Sequence, residues 1–531
     1  MWSDLAAFAG PARIRLQSLD ERAISRRRIK DPEAVYALRT LASGMHSGIT
    51  SPARPWFKLQ TQDRDLREWG PVKTWIDEVE RLVREMFGRS NVYNAFHYGY
   101  GDLGLFGQSA GLLVDDGGRL RMVQLLCGRY WLARDDEGRA TTIYRQLRWS
   151  VERIVKRFGL DRVSDRIRTA WDTANYDQMH DIWHAVEPRV QRDPRKIDKR
   201  NKPFMSNYWE DQGGGDGKML EESGFDENPI IAPPWMICGD DNYAQSPGMD
   251  VLADVKMLQA EQKDKMEAIA KMVRPPLQGP SSLTTNPSSL LPGSLTTVDD
   301  PTGNGIRPVV EVNPRIAELL QDIKATKECI NRGFYSDLFL MLANMEGIQP
   351  RNSFEIAERK EEKLLALGPV LENIYNAQLE PSIDRAFNIA VRARALPPPP
   401  REIAGDALSI EYISVLAQAQ KAVATGSIER LSGYAGQLAA VRPDVLDKID
   451  FDQSIDLYAD AVGAPASMVV PDDKVAKIRA GRAQQQQAAQ NVAMAKEAAP
   501  AITAGADAAQ VLADAQNNPG GQALLSKLGL A

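Results

Sequence analysis

The chain has 531 residues, 65 basic and 71 acidic side chains and a net charge of -6, enough for three or more packed regions around a large core. That balance excludes a uniformly basic nucleic-acid binder, although a local ring of lysines can still act inside an acidic protein. Cys127, Cys238 and Cys329 are far apart with no CxxC pair, and read as reduced, buried thiols of a protein made in a cytosol.

The opening MWSDLAAFAGPARIR lacks the layout of a signal peptide, and no run of about 18 apolar residues occurs. A soluble, intracellular protein with no membrane contact is expected. Residues 1–30 are basic and helix-compatible. Helices follow at 31–47 and 71–87, the second with Val72, Trp75, Ile76, Val79, Leu82, Val83 and Met86 at helical spacing. Between them Thr50 to Leu59 reads as a turn feeding a short strand. A helix at 91–103 leads into two hairpins: Leu112–Val114 with Leu120–Leu126, and Tyr130–Ala133 with Thr141–Trp149. Helices at 150–158 and 161–174, strands at 179–187 and 204–210, a glycine turn at 213–217 and an extended segment at 230–235 complete this region.

Residues 250–395 carry the most informative pattern. An amphipathic helix at 250–274 shows Leu252, Val255, Leu258 or Gln259, Gln262, Met266, Ile269 and Val273 on one stripe. Residues 275–312 then hold seven prolines, four glycines and ten serines or threonines, which neither flanking helix can enter. A second helix at 313–341, a polar break at 342–353 and a long helix at 354–395 follow. Pro369 and Pro381 must kink or break that helix. Short helices are expected at 411–424, 427–440, 443–449, 452–463 and 472–495, then a flexible tail.

Three motif matches fail on chemistry. Gly107-Gln108-Ser109-Ala110-Gly111 fits GxSxG, but an elbow needs a strand before the serine and a helix after it, whereas the reverse order is expected here. No histidine lies beyond His184. His180-Asp181-Ile182-Trp183-His184 resembles a zinc HExxH, but its surroundings favour a strand, which holds residues four apart about 13 Å from each other. Gly213 to Lys218 is no Walker A loop, because Gln212 and Met219 stand where glycine and Ser/Thr are required. No catalytic residue, metal site or cofactor is expected.

Three stretches resemble the portal (head-to-tail connector) family of short-tailed phages. The first is LASGMHSGITSPARPWF, Leu41 to Phe57. The second runs from RGFYSDLF at Arg332 to RKEEKL at Arg359 and LGP at Leu367. The third runs from EYIS at Glu411 through RPDVLD at Arg442 to the glutamines at 484–487. One departure falls at Ile348 to Ser353, where the family often shows a Met-Thr-Ala start to the long helix. The resemblance implies an α+β, mainly α fold with portal architecture. Its parts would be a wing at 1–249 with the long kinked helix at 354–396, stem helices at 250–274 and 313–341, a clip at 275–312, a tunnel loop at 342–353, a helical crown at 397–495 and a C-terminal tail at 496–531.

It further implies a homo-dodecameric ring at one capsid vertex of a virion, with double-stranded DNA entering at packaging and leaving at infection. The implied partners are the packaging motor (terminase large subunit), tail adaptor (head-completion) proteins, and the major capsid and scaffold proteins. A sliding duplex needs non-specific phosphate contacts, because base readout would trap it, and a ring repeats each lining charge as a belt. Lys256, Lys263, Lys265, Lys271, Lys324, Lys327 and Arg332 are the DNA-channel candidates. Asn344, Gln349, Arg351 and Asn352 are the tunnel-loop candidates. The alternatives are a serine hydrolase built on Ser109 and a non-channel virion scaffold.

Overall fold

The computed structural model describes residues 1–15, 28–53, 55–61, 63, 66, 69–196, 198–211, 217–239, 241–280, 295–298, 307–308, 316–343, 367–403, 408–412, 428–438, 442, 444, 448–462, 469–470 and 474–487. Two compact units emerge, one of Met1–Gln62 with Trp75–Glu429, the other of Asp63–Thr74 with Arg430–Ala531. The fold is mainly helical with small, mostly antiparallel sheets, which is the expected α+β, mainly α class.

The helices are α1 Trp2–Ala9, α2 Glu33–Ile49, α3 Gly70–Gly88, α4 Val92–Phe106, α5 Val151–Phe158, α6 Asp165–Asp172, α7 Pro247–Asp250, α8 Leu252–Val273, α9 Ile316–Gly333, α10 Ser336–Ala343, α11 Gly368–Ile374, α12 Glu380–Arg392 and α13 Phe451–Val462. The strands are β1 Phe57–Thr61, β2 Gly111–Asp115, β3 Leu120–Gln124, β4 Tyr130–Arg134, β5 Ala140–Ser150, β6 Met179–Pro188, β7 Phe204–Glu210, β8 Met219–Phe225, β9 Ile230–Ile231, β10 Leu277–Pro280, β11 Leu295–Val298, β12 Arg307–Pro308 and β13 Leu408–Tyr412.

Helix α4 is the buried axis of the larger unit, and its glycines explain how. A Cβ on Gly99 would stand 2.7 Å from Ser109 Oγ, one on Gly101 2.6 Å from the Arg13 guanidinium carbon, and one on Gly104 would collide with Leu41. Each glycine costs helix propensity of about 1 kcal/mol, and each lets a neighbour approach the backbone. The helix ends at Gly107, whose φ of +77° places it in the left-handed region suited to glycine.

Strands β4 to β8 form a five-stranded antiparallel meander in sequence order. The α5–α6 pair, inserted between β5 and β6, covers one face. Trp149, Ile154, Phe158, Ile167, Ile182 and Tyr208 are buried in this layer. Ser150 and Ser164 cap the two helices through their hydroxyl oxygens, which accept the N–H groups of Arg153 and Ile167. A second sheet has the order β3-β2-β9, and a third has β11-β10-β12 with β10 and β11 parallel.

Four expectations are corrected. The second stem helix is not continuous to 341: it stops at Gly333, Tyr335 takes φ +56°, and α10 starts at Ser336. A Cβ on Gly333 would collide with Val251, and Phe339 of α10 packs on Gly44 of α2, so tertiary contacts redirect the chain. The helix expected at 411–424 does not begin at 411, because Leu408–Tyr412 is a strand paired antiparallel with β1. Its alternating Leu408, Ile410 and Tyr412 suit the edge that β1 offers. Pro381 does not break the helical run: it sits in the first turn of α12, directly after a π-helical turn, Tyr375–Leu379. The wider i→i+5 turn relieves the proline's missing donor and its clash with the carbonyl four residues back. Finally, only Cys127 is buried; Cys238 and Cys329 are exposed.

In the smaller unit, residues 474–487 are helical and Arg479 reaches α13 with a fork of hydrogen bonds to both Asp452 oxygens, 2.6 and 2.8 Å. The glycine run at 213–216 and the tail at 496–531 lie outside the described residues.

Candidate DNA-channel surface

Helices α8 and α9 pack side by side. Val255, Leu258, Gln259 and Gln262 are buried on α8, and Ile323, Thr326 and Ile330 on α9. Both sets recur at three- and four-residue spacing, one stripe per helix. Burial is confined to the part of α8 nearest the body. Farther along, Met266, Ile269, Met272 and Val273 of α8 and Leu320 of α9 are exposed, although Met266, Ile269 and Val273 continue the same stripe.

The base of the pair is held by polar groups. The Gln259 amide oxygen accepts the Asp31 N–H and its nitrogen donates to the Asp31 carbonyl, both at 3.0 Å. Gln262 Nε2 donates to Asp31 Oδ2 at 2.7 Å. From α9, Lys327 Nζ lies 2.8 Å from Asp31 Oδ2 and 3.2 Å from Glu33 Oε2. Asn331 donates to Glu33 at 2.8 Å and accepts from Ser336 at 2.7 Å. Burial works against the Lys327 charge, but the hydrogen bonds to Asp31 and Glu33 outweigh it and raise its pKa. Glu261 receives the Thr326 hydroxyl at 3.1 Å while its second oxygen is buried without a partner. Burial raises the pKa of that carboxyl.

The structure does not bring the seven candidate cations into one patch. Lys327 is engaged at the base, and Lys256 pairs with Asp4 of α1 at 2.7 Å. Lys263 and Lys324 make exposed i,i+4 pairs with Glu267 and Glu328, contacts worth little in water. At about 100° per residue, Lys256 and Lys263 share one flank of α8, Lys265 takes the other, and Lys271 lies opposite the buried stripe. Arg332 is exposed on the side of α9 away from Ile323 and Ile330. Asn344, Gln349, Arg351 and Asn352 lie outside the described residues. The base network was missed in the sequence because its acidic members, Asp31 and Glu33, lie more than two hundred residues away.

The rejected motifs are placed plainly. Ser109 follows α4 and precedes β2, the reverse of a nucleophile elbow, and its hydroxyl accepts from Gln124 Nε2 at 3.3 Å. His180 and His184 lie on β6 opposite Trp149 and Arg145. Among the described residues no cluster of His, Cys, Asp or Glu could hold a metal, and no helix is long and apolar enough to cross a membrane.

The exposed hairpin, its polar root and the three-stranded sheet at its tip fit a connector subunit, and the family comparison agrees. Residues 1–469 match the family described as bacteriophage head to tail connecting protein, and the chain belongs to that family. It is 44% identical over 503 residues to the portal protein of Salmonella phage epsilon15, covering 94% of this chain and 90% of that protein. It is 44% identical over 474 residues to the probable portal protein of Bordetella phage BPP-1, covering 89% and 85%. Two gene transfer agent structures are distant likenesses at 13% identity. They are the neck of an empty particle computed with C6 symmetry (TM-score 0.34, covering 79% of this chain and 90% of that one) and the native virion (TM-score 0.32, covering 75% and 95%).

Proposed function

We propose that copies of this chain form a portal, a ring channel at one capsid vertex through which double-stranded DNA is packaged and ejected. The 44% identity to the epsilon15 portal protein across 94% of the chain carries this reading. In it, residues 1–249 and 354–396 are the wing, α8 and α9 the stem, 275–312 the clip, 342–353 the tunnel loop, 397–495 the crown and 496–531 a tail. The exposed Met266, Ile269, Met272 and Leu320 support a stem that completes its packing only against neighbouring copies, as apolar patches rimmed by charge do.

Within the ring, the DNA-facing charges are drawn from Lys263, Lys265, Lys271, Lys324 and Arg332, with Asn344, Gln349, Arg351 and Asn352 in the tunnel loop. Lys256 and Lys327 serve the base of the stem instead. The clip docks the terminase large subunit during packaging and tail adaptor proteins afterwards, and the wing meets capsid and scaffold proteins. Negative-stain images of the purified full chain test the reading. Rings with an axial hole wide enough for a duplex are expected. Solid particles or monomers under assembly conditions would favour a non-channel scaffold.

A further inference from the structure

A cavity of about 910 Å³ opens between the β3-β2-β9 sheet and the meander, where residues 146–149 of β5 have no β4 partner. Seven arginines line it against Asp115, Asp116 and Glu221, a concentration of positive charge at odds with the chain's net charge of -6. Arg145, Arg153 and Arg157 gather around two aromatic rings. Arg153 lies 4.3 Å over Trp149, Arg157 lies 4.6 Å over Tyr208, and Arg145 Nη2 donates to the Tyr208 hydroxyl at 3.1 Å. The other end of the cavity carries Arg15, Arg129 and Arg148.

Arg145 is 8% exposed, and no carboxylate pairs with it among the described residues. Its Nε donates to His184 Nδ1 at 2.8 Å. A guanidinium can only donate, so His184 is neutral and carries its proton on Nε2, which donates to Ser206 Oγ at 2.9 Å. Burial drives the His184 pKa well below its ordinary value, and the neighbouring Arg145 and Arg157 act in the same direction. The histidine therefore orients Arg145 without balancing its charge. Arg148 Nε is also buried with no partner. A buried cation without a counter-ion is costly, and here the imbalance converges on an open cavity.

We propose that this cavity binds a ligand carrying two or more phosphates, with Arg145, Arg153 and Arg157 gripping one phosphoryl group. Three guanidiniums gathered around the same two rings outnumber the two oxygens of a carboxylate and suit the three oxygens of a phosphoryl group. Stacking of Arg153 on Trp149 and of Arg157 on Tyr208 fixes those two guanidinium planes, and a phosphate would displace Glu221, which lies 3.7 Å from Arg157. The cavity is of small-ligand size and far too small for a duplex, so the phosphates belong to a nucleotide or to the end of a single strand.

The test is calorimetry and thermal denaturation on the full chain with pyrophosphate, ATP and a short single-stranded oligonucleotide, beside an oligo-glutamate peptide of equal charge. Phosphate probes are expected to bind, to raise the melting temperature and to weaken as salt rises. Arg153→Gln and Arg157→Gln, on an exposed helix face, should each weaken binding about tenfold. Lys156→Gln, on the same helix and paired with Glu152, should leave it unchanged. Tighter binding of ATP than of the oligonucleotide would identify a nucleotide site, and the reverse order a strand end. The proposal is overturned if no phosphate probe binds, if oligo-glutamate binds more tightly, or if Lys156→Gln costs as much as the arginine variants. None of these outcomes bears on whether the chain forms a ring.

Discussion

Substituting Gly44 by alanine tests the close approach of α10 to α2. A Cβ at this position would stand 2.7 Å from Phe339 Cβ and closer to its ring. The opposing atoms belong to the root of the side chain, so rotation of the ring cannot clear them and α10 itself must shift. Overpacking of this kind costs about 1–3 kcal/mol, while replacing a mid-helix glycine returns about 1 kcal/mol of propensity. The expected net loss is at most about 2 kcal/mol, read as a drop of up to a few degrees in melting temperature at unchanged oligomeric state. A Phe339→Ala background removes the ring contacts and leaves only the Cβ contact at 2.7 Å, so the same substitution should cost less there. If Gly44→Ala has the same effect in both backgrounds, the packing argument is wrong.

Burial pushes the Asp102 carboxyl up to about 7, against the pull of Arg13 at 2.8 Å. The folded chain therefore holds this proton more tightly than the unfolded one. The group's contribution to stability is full below about pH 4 and is lost as pH rises toward 7. Melting temperatures of parent and Asp102→Asn at pH 5 and pH 8 should show the parent losing ground at the higher pH; a constant difference would contradict this. Neutralising Lys263, Lys271 and Lys324 together should leave rings intact but change DNA retention and its salt dependence, measured by packaging assays. Unchanged retention would remove these residues from the bore. Ser109→Ala should cost no more than about 1 kcal/mol, the value of one hydrogen bond, and ester hydrolysis by both proteins should match a buffer blank. Activity lost with Ser109 would revive the hydrolase.

Local chemistry made much of the fold legible. The runs Tyr130–Ala133 and Thr141–Trp149 read as a hairpin and fall on β4 and β5, and the surroundings of His180 to His184 read as a strand rather than a zinc helix. The amphipathic stripe located α8 to within two residues at its N-terminus and one at its C-terminus. What stayed hidden depends on distant partners. The break after Gly333 lies in a sequence that reads as continuous helix, and its causes are Val251 and Gly44, far away in the chain. The strand at 408–412 exists because β1, some 350 residues earlier, offers an edge. In the candidate site, periodicity placed Gln259 and Gln262 on the buried stripe but could not reveal Asp31 as the partner that they share with Lys327.

The root of the stem also has a mechanical consequence. An oily seam between two rods tolerates axial slippage by a residue or a turn, since one methyl replaces another at small cost. The bonds that Gln259, Gln262, Lys327 and Asn331 make to Asp31 and Glu33 are directional, and a shift of one position would leave the buried Asp31 without its partners. The α8–α9 pair is thus fixed in register against Asp31 and the start of α2, and the chain next changes direction at Tyr335.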